Sequence, residues 1–169
     1  MHLKTCKRYN VPGHAHALTF TCKDKRQLLD SEPARQLFVD SLAAARDTQR
    51  FHLWGYVIMP EHAHVVLWPL EPDSSISEIL RAIKRPMSFR ARQQGIIADS
   101  GFWLPGGGYD RNLTSPKAIH NEIEYVHYNP VRRGLCRRPE EWPYSSAAFW
   151  AGQTDVPLLM DRTLPALSG

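Results

Sequence analysis

Only two residues, Pro60 and Glu61, separate the runs FHLWGYVIM (51–59) and HAHVVLWP (62–69). Both are rich in aromatic and branched side chains and read as strands. So short a connection makes an antiparallel hairpin the economical pairing. HAHALTFTC (14–22) reads as a further strand. Between it and the hairpin, SEPARQLFVDSLAAARDTQ repeats Leu37, Phe38, Leu42 and Ala45 at helical spacing, with a start signal at Ser31 or Ser-Glu-Pro. After the hairpin, SSISEILRAIKRPMSFRARQQG (74–95) is helical from Ile76, Ile79, Leu80 and Ile83. Ser74 or Ser75 caps it, Glu78 is placed for a capping box, and Pro86 is expected to kink or split it. FWLPGGGYDRNL reads as a loop with possible strand ends. SPKAIHNEIEYVHYNP (115–130) is a helix opened by a Ser115 cap and Pro116 in the first turn, with a core stripe of Ile119, Ile123 and Val126, expected to stop near Pro130. Beyond Glu140 irregular structure or a short helix is expected. The order predicts an α+β sandwich built on an antiparallel sheet, with one domain over residues 1–150 and a tail over 151–169.

Composition excludes several classes. The chain is 43% hydrophobic and 22% charged, which is ordinary for a globular protein, and no apolar run approaches the roughly 18 residues that span a bilayer. The basic start MHLKTCKRYN lacks the apolar core of a signal peptide. Cys6, Cys22 and Cys136 are odd in number and widely spaced, so neither a disulfide framework nor a zinc site is expected, and a reducing cytoplasm fits. The net charge of +4 is concentrated. Arg81, Lys84, Arg85, Arg90 and Arg92 lie in one acid-free run, and Arg132, Arg133, Arg137 and Arg138 form a second cluster. Such clusters either contact phosphates or form a solvated helix face.

Residues two apart in a strand share a face, so His62 and His64 present two imidazoles side by side. The pair alone leaves two readings open: part of a divalent-metal site that needs further ligands, or partly exposed histidines at a strand end. His14 and His16 repeat the His-Ala-His triplet with no obvious companion. In the late helix, Ala118, Glu122, Tyr125 and Asn129 form a second stripe flanking the core stripe. Tyr125 and Asn129, four apart, stack there, within reach of a metal on a neighbouring strand. As alternatives, Tyr125 is a boundary tyrosine and Asn129 a helix cap. Tyr128 reads as a surface tyrosine.

MPEHAHVVLWP combined with EYVHYNPVRRGL resembles the HUH single-tyrosine transposases, most closely the REP-associated tyrosine transposases. RYNVPGHAHALTFT and WPYSS resemble the same branch, and the likeness runs over most of residues 8–148. It implies a ferredoxin-like or RRM-like fold. It also implies that His62 and His64 bind Mg²⁺ or Mn²⁺ with Asn129 as third ligand, and that Tyr125 is the nucleophile. The implied reaction cuts and rejoins single-stranded DNA beside hairpins through a 5′-phosphotyrosine. The protein would act as a monomer or homodimer, with the two basic clusters on DNA phosphates. Trp54, Trp68 and Trp103 are either base-stacking platforms or core aromatics. Glu122 is a candidate base by helical proximity alone. PGGGY is no phosphate loop, since no GK[ST] follows. A non-cleaving nucleic-acid-binding module of the same fold and a water-using metal phosphodiesterase are the alternatives.

Overall fold

A computed structural model of the chain describes residues 8–98, 101–106 and 108–168, so Cys6 lies outside the described residues. Four strands form one antiparallel sheet in the order β2-β3-β1-β4. They are β1 (Ala15–Thr21), β2 (Phe51–Ile58), β3 (His62–Pro69) and β4 (Tyr109–Leu113). Helix α1 (Glu32–Gln49) joins β1 to β2, and α2 (Ile76–Gln93) joins β3 to β4. Helices α3 (Pro116–Arg132) and α4 (Ala147–Trp150) follow. This is the expected α+β sandwich with ferredoxin-like strand order, and the hairpin is β2–β3.

Strand alternation divides the interior in two. Phe20, Ala63, Val65 and Leu67 bury with Phe38 and Leu42 of α1 and Ile79 and Ile83 of α2. Ala15, Ala17, Val66 and Leu113 bury on the other face with Ile119, Ile123 and Val126 of α3. His62 and His64 are in phase with Val66, so they lie on the α3 face. The predicted serine caps form: the hydroxyls of Ser31, Ser75 and Ser115 accept from the N–H of Ala34, Glu78 and Ala118 at 3.3, 3.4 and 3.1 Å. Each such cap contributes about 1 kcal/mol. The Glu78 carboxylate instead takes Arg81 at 2.5 Å.

Neither proline ends its helix. Pro86 lies inside α2 and Pro130 inside α3. A proline in a helix interior costs about 3 kcal/mol. Past Pro86, the continued helix places Met87 and Ala91 in the core, and a buried Met alone contributes about 1.5–3 kcal/mol. Pro130 is itself buried. The actual terminator of α3 is Gly134, at φ 71°. Gly134 N–H bonds the Val131 carbonyl and Leu135 N–H the Pro130 carbonyl, both at 2.9 Å, a Schellman closure that only a residue at ease with positive φ completes cheaply. The segment read as a loop with possible strand ends contributes β4 and a bridge from Trp103 to Cys22.

The tail follows the outer edge of β2. The Asp161 side chain accepts from Leu53 N–H at 2.8 Å and Asp161 N–H returns to the Leu53 carbonyl at 2.9 Å. Further on, the Pro165 carbonyl lies 2.7 Å from His120 Nε2 on α3. Cys22 and Cys136 are both free thiols. Among the described residues no helix is long and apolar enough to cross a membrane.

Candidate active site

The His62 and His64 rings stand 4.7 Å apart, centre to centre, at 80°. Their Nδ1 atoms are both engaged. His62 Nδ1 donates to Glu61 Oε1 at 2.9 Å, and His64 Nδ1 lies 3.1 Å from Thr19 Oγ1, which the β1–β3 register sets opposite it. The Nε2 atom of each ring is left for a ligand, the division of labour seen in histidine metal sites. Glu61 also ion-pairs with Arg133. Burial pushes the Glu61 carboxyl up, but Arg133 and His62 outweigh it and hold the group below the ordinary carboxylate range. Burial drives His64 down to about 4, helped by His62 and Arg132. It lowers His62 as well, against the pull of Glu61. Both imidazoles are therefore neutral at neutral pH, the form that ligates a cation.

Tyr125 stands over this pair from α3. Its ring centroid is 6.1 Å from that of His64, at 76°, and the side chain is half exposed. Arg132 fixes it from the other side: Cζ lies 4.2 Å from the ring centroid, and Nη2 donates to the Tyr125 carbonyl at 2.5 Å. Asn129, one turn beyond Tyr125, is buried, and its carbonyl accepts from Arg133 N–H at 3.2 Å. It is inside α3, not at its cap. Glu122 is held by Arg111 of β4 at 2.7 Å. Thr19, His64, Tyr109, Arg111, Glu122 and Tyr125 line a cleft of about 330 Å³.

The two free imidazole nitrogens suit a divalent cation whose remaining ligands are phosphate, water or other side-chain oxygens. Among the described residues no group of three or more His, Cys, Asp or Glu could hold a metal.

The other predicted residues are dispersed. Arg132 and Arg133 lie at the site but are engaged with Tyr125 and Glu61. Helix α2 packs on the opposite face of the sheet from α3. There Arg81 pairs with Glu78, and Arg85, Arg90 and Arg92 are exposed. Lys84 turns inward with Nζ 5.8 Å from the centroid of Phe20, and burial, aided by Arg8, lowers its pKa. Trp103 is core, against Phe20 and Phe38. Trp54 is buried and stacks on Trp68 at 5.6 Å, and both line a separate groove of about 240 Å³ by the start of α3. His16 is buried against Asp110, Nδ1 to Oδ1 2.8 Å, and His14 meets Asn112 at 3.0 Å, so the upstream triplet is tied into the β4 side of the sheet.

Four residues of the site escape a reading of the sequence. Glu61 passes as half of a turn, although an acid next to a histidine pair is a usable signal. Thr19, Tyr109 and Arg111 reach the cleft only through the register of β1 with β3 and β4, which no local pattern encodes.

The central strand β3 thus carries a histidine pair, one ring of which faces a tyrosine on α3, within a ferredoxin-like sheet. The chain belongs to the IS200-like transposase family, whose model matches residues 10–129. It is 25% identical over 142 residues to the REP-associated tyrosine transposase of Escherichia coli (strain K12), covering 83% of this chain and 80% of that protein. A REP-associated tyrosine transposase solved bound to a REP hairpin has the same fold, with a TM-score of 0.73 at 20% identity and 96% of each chain covered.

Proposed function

We propose that this protein cuts and rejoins single-stranded DNA flanking a hairpin, with Tyr125 as nucleophile. The observation that carries the reading is the Tyr125 ring set against His64 while both histidines keep Nε2 free. Tyr125 Oη attacks the scissile phosphorus in line. The phosphorus–O3′ bond breaks, leaving a 5′-phosphotyrosine and a free 3′-OH that takes up a proton. Attack of a 3′-OH on that linkage restores a phosphodiester and returns the phenol, so no nucleoside triphosphate is consumed. A neutral phenol is a weak nucleophile, so holding it in place matters. Arg132 does so through the ring face and the backbone, and its positive charge favours the approach of a phosphate. Mg²⁺ or Mn²⁺, held by His62, His64 and Asn129, would neutralise and polarise the scissile phosphate. Glu61 fixes the His62 ring and Thr19 the His64 ring. Glu122, already held by Arg111, is a support for the cleft wall in this reading and not the base. Hairpin DNA is the proposed substrate, in keeping with the structural relative bound to a REP hairpin.

The test is incubation of labelled tailed-hairpin DNA with Mg²⁺ or Mn²⁺, followed by a denaturing gel. Wild type is expected to give a protein-linked band, and Tyr125→Phe to bind the hairpin without one. Binding by wild type with no adduct would favour the non-cleaving module. An undiminished adduct with Tyr125→Phe would remove Tyr125 from its role.

A further inference from the structure

The far wall of the catalytic cleft has no part in the reaction just described. It is formed by β4, an edge strand, whose Tyr109 and Arg111 are in phase with Leu113 and so face α3. The register sets Tyr109 opposite Thr19, and Thr19 opposite His64. One row of the sheet thus runs Tyr109, Thr19, His64, two interstrand steps or about 10 Å long. Tyr109 is 59% exposed, an unusual cost for a large aromatic side chain with no structural return. Its backbone is nonetheless closely fixed. Gly108 has φ 131°, and a Cβ there would meet the Thr19 carbonyl at 3.3 Å, so the entry to β4 accepts little but glycine. Arg111 is half exposed, and its guanidinium is oriented by Glu122, which is itself largely buried. An open aromatic face beside an oriented, accessible guanidinium is chemistry that takes a nucleotide: stacking for the base and a charge-assisted pair for its phosphate.

We infer that Tyr109 and Arg111 bind the nucleotide adjoining the scissile phosphate, Tyr109 stacking on its base and Arg111 taking its phosphate. This rests on the proposed reaction for the location of the cut strand. The site reads the presence of a base and not its identity, because every base offers a π face.

The experiment is binding of a tailed hairpin without divalent metal, so that nothing is cut, with single abasic sites stepped along the tail. Wild type should lose about tenfold in affinity at one position. In Tyr109→Ala the intact DNA should bind about tenfold more weakly and that position should become silent. Tyr109→Phe should match wild type, since the ring acts and the hydroxyl does not. Arg111→Gln should reduce the slope of log affinity against log salt by about one, which a merely structural partner of Glu122 would leave unchanged. An identical abasic profile in wild type and Tyr109→Ala, or no sensitive position at all, overturns the inference, as does an unaltered salt slope for Arg111→Gln. Adduct formation by wild type is scored separately with Mg²⁺. Its absence alongside the expected binding profile would refute the reaction while leaving the nucleotide site.

Discussion

Replacing Glu61 with glutamine removes one negative charge beside His62 while keeping an oxygen that can accept the Nδ1 proton. Two consequences of different size follow from the contacts. The carboxylate raises the donor strength of His62 and fixes its ring, and loss of such a partner typically weakens metal binding 10- to 100-fold, about 1.4–2.7 kcal/mol. The ion pair with Arg133 is partly solvated, with side chains 18% and 40% exposed, so screening leaves about 1 kcal/mol or less for stability. For a chain of this length that is a melting-temperature fall of roughly 2–4 °C. Adduct yield titrated with Mn²⁺ separates the two. Glu61→Gln should move the metal midpoint upward by 10- to 100-fold, recover near the wild-type plateau at saturating metal, and melt only slightly lower. An unmoved midpoint would refute the argument that Glu61 acts through His62. A lost plateau with an unmoved midpoint would assign it a different role.

His62→Ala and His64→Ala should each abolish metal-dependent adduct formation, whereas His14→Ala should retain it. His16→Ala should retain it too, per folded molecule, while costing about 1–3 kcal/mol of stability by leaving Asp110 unpartnered in the interior, as read by urea unfolding. Comparable activity losses from both triplets would contradict the assignment. His127 is buried against Ser146 Oγ at 2.8 Å, and burial holds its pKa down at about 4. The unfolded chain binds that proton from about pH 6.5 downward and the folded chain does not. The contribution is therefore intact above pH 6.5 and is lost as pH falls towards 4, by about 3 kcal/mol at most. His127→Gln should flatten that part of the pH–stability curve, and parallel curves for variant and wild type would contradict the burial argument.

The hairpin and helices α1, α2 and α3 are legible because each carries a local signal: Pro60-Glu61 between two apolar runs, and serine caps before periodic Ile and Leu. The same local rules treat two prolines as interruptions, yet both lie inside their helices. Pro86 and Pro130 carry a known cost, but whether core contacts offset it depends on where Met87 and Pro130 itself land, and that is tertiary information. Gly134, the true stop of α3, was visible in RRGL. At the site, Tyr125 and His64 come together as the family resemblance implies, whereas periodicity and strand phase alone leave other readings open. Glu61, Thr19, Tyr109 and Arg111 do not announce themselves, because their roles come from strand register and cross-sheet pairing. The arginine run of α2 shows the converse: composition marks charge but not which face of the sheet carries it, and α2 lies opposite the cleft.

Three tyrosines of β4 and α3, Tyr109, Tyr125 and Tyr128, are each at least 44% exposed, so exposure alone does not choose the nucleophile. Tyr125 is chosen because, of the three, its ring is the one that meets a histidine of the pair, edge-on to His64. The most direct test is to isolate the protein–DNA adduct, digest both components and locate the nucleotide-linked tyrosine by mass spectrometry. The linkage is expected on Tyr125, through a 5′-phosphate. Linkage on Tyr109 or Tyr128, or cleavage that leaves no linked peptide, would contradict it.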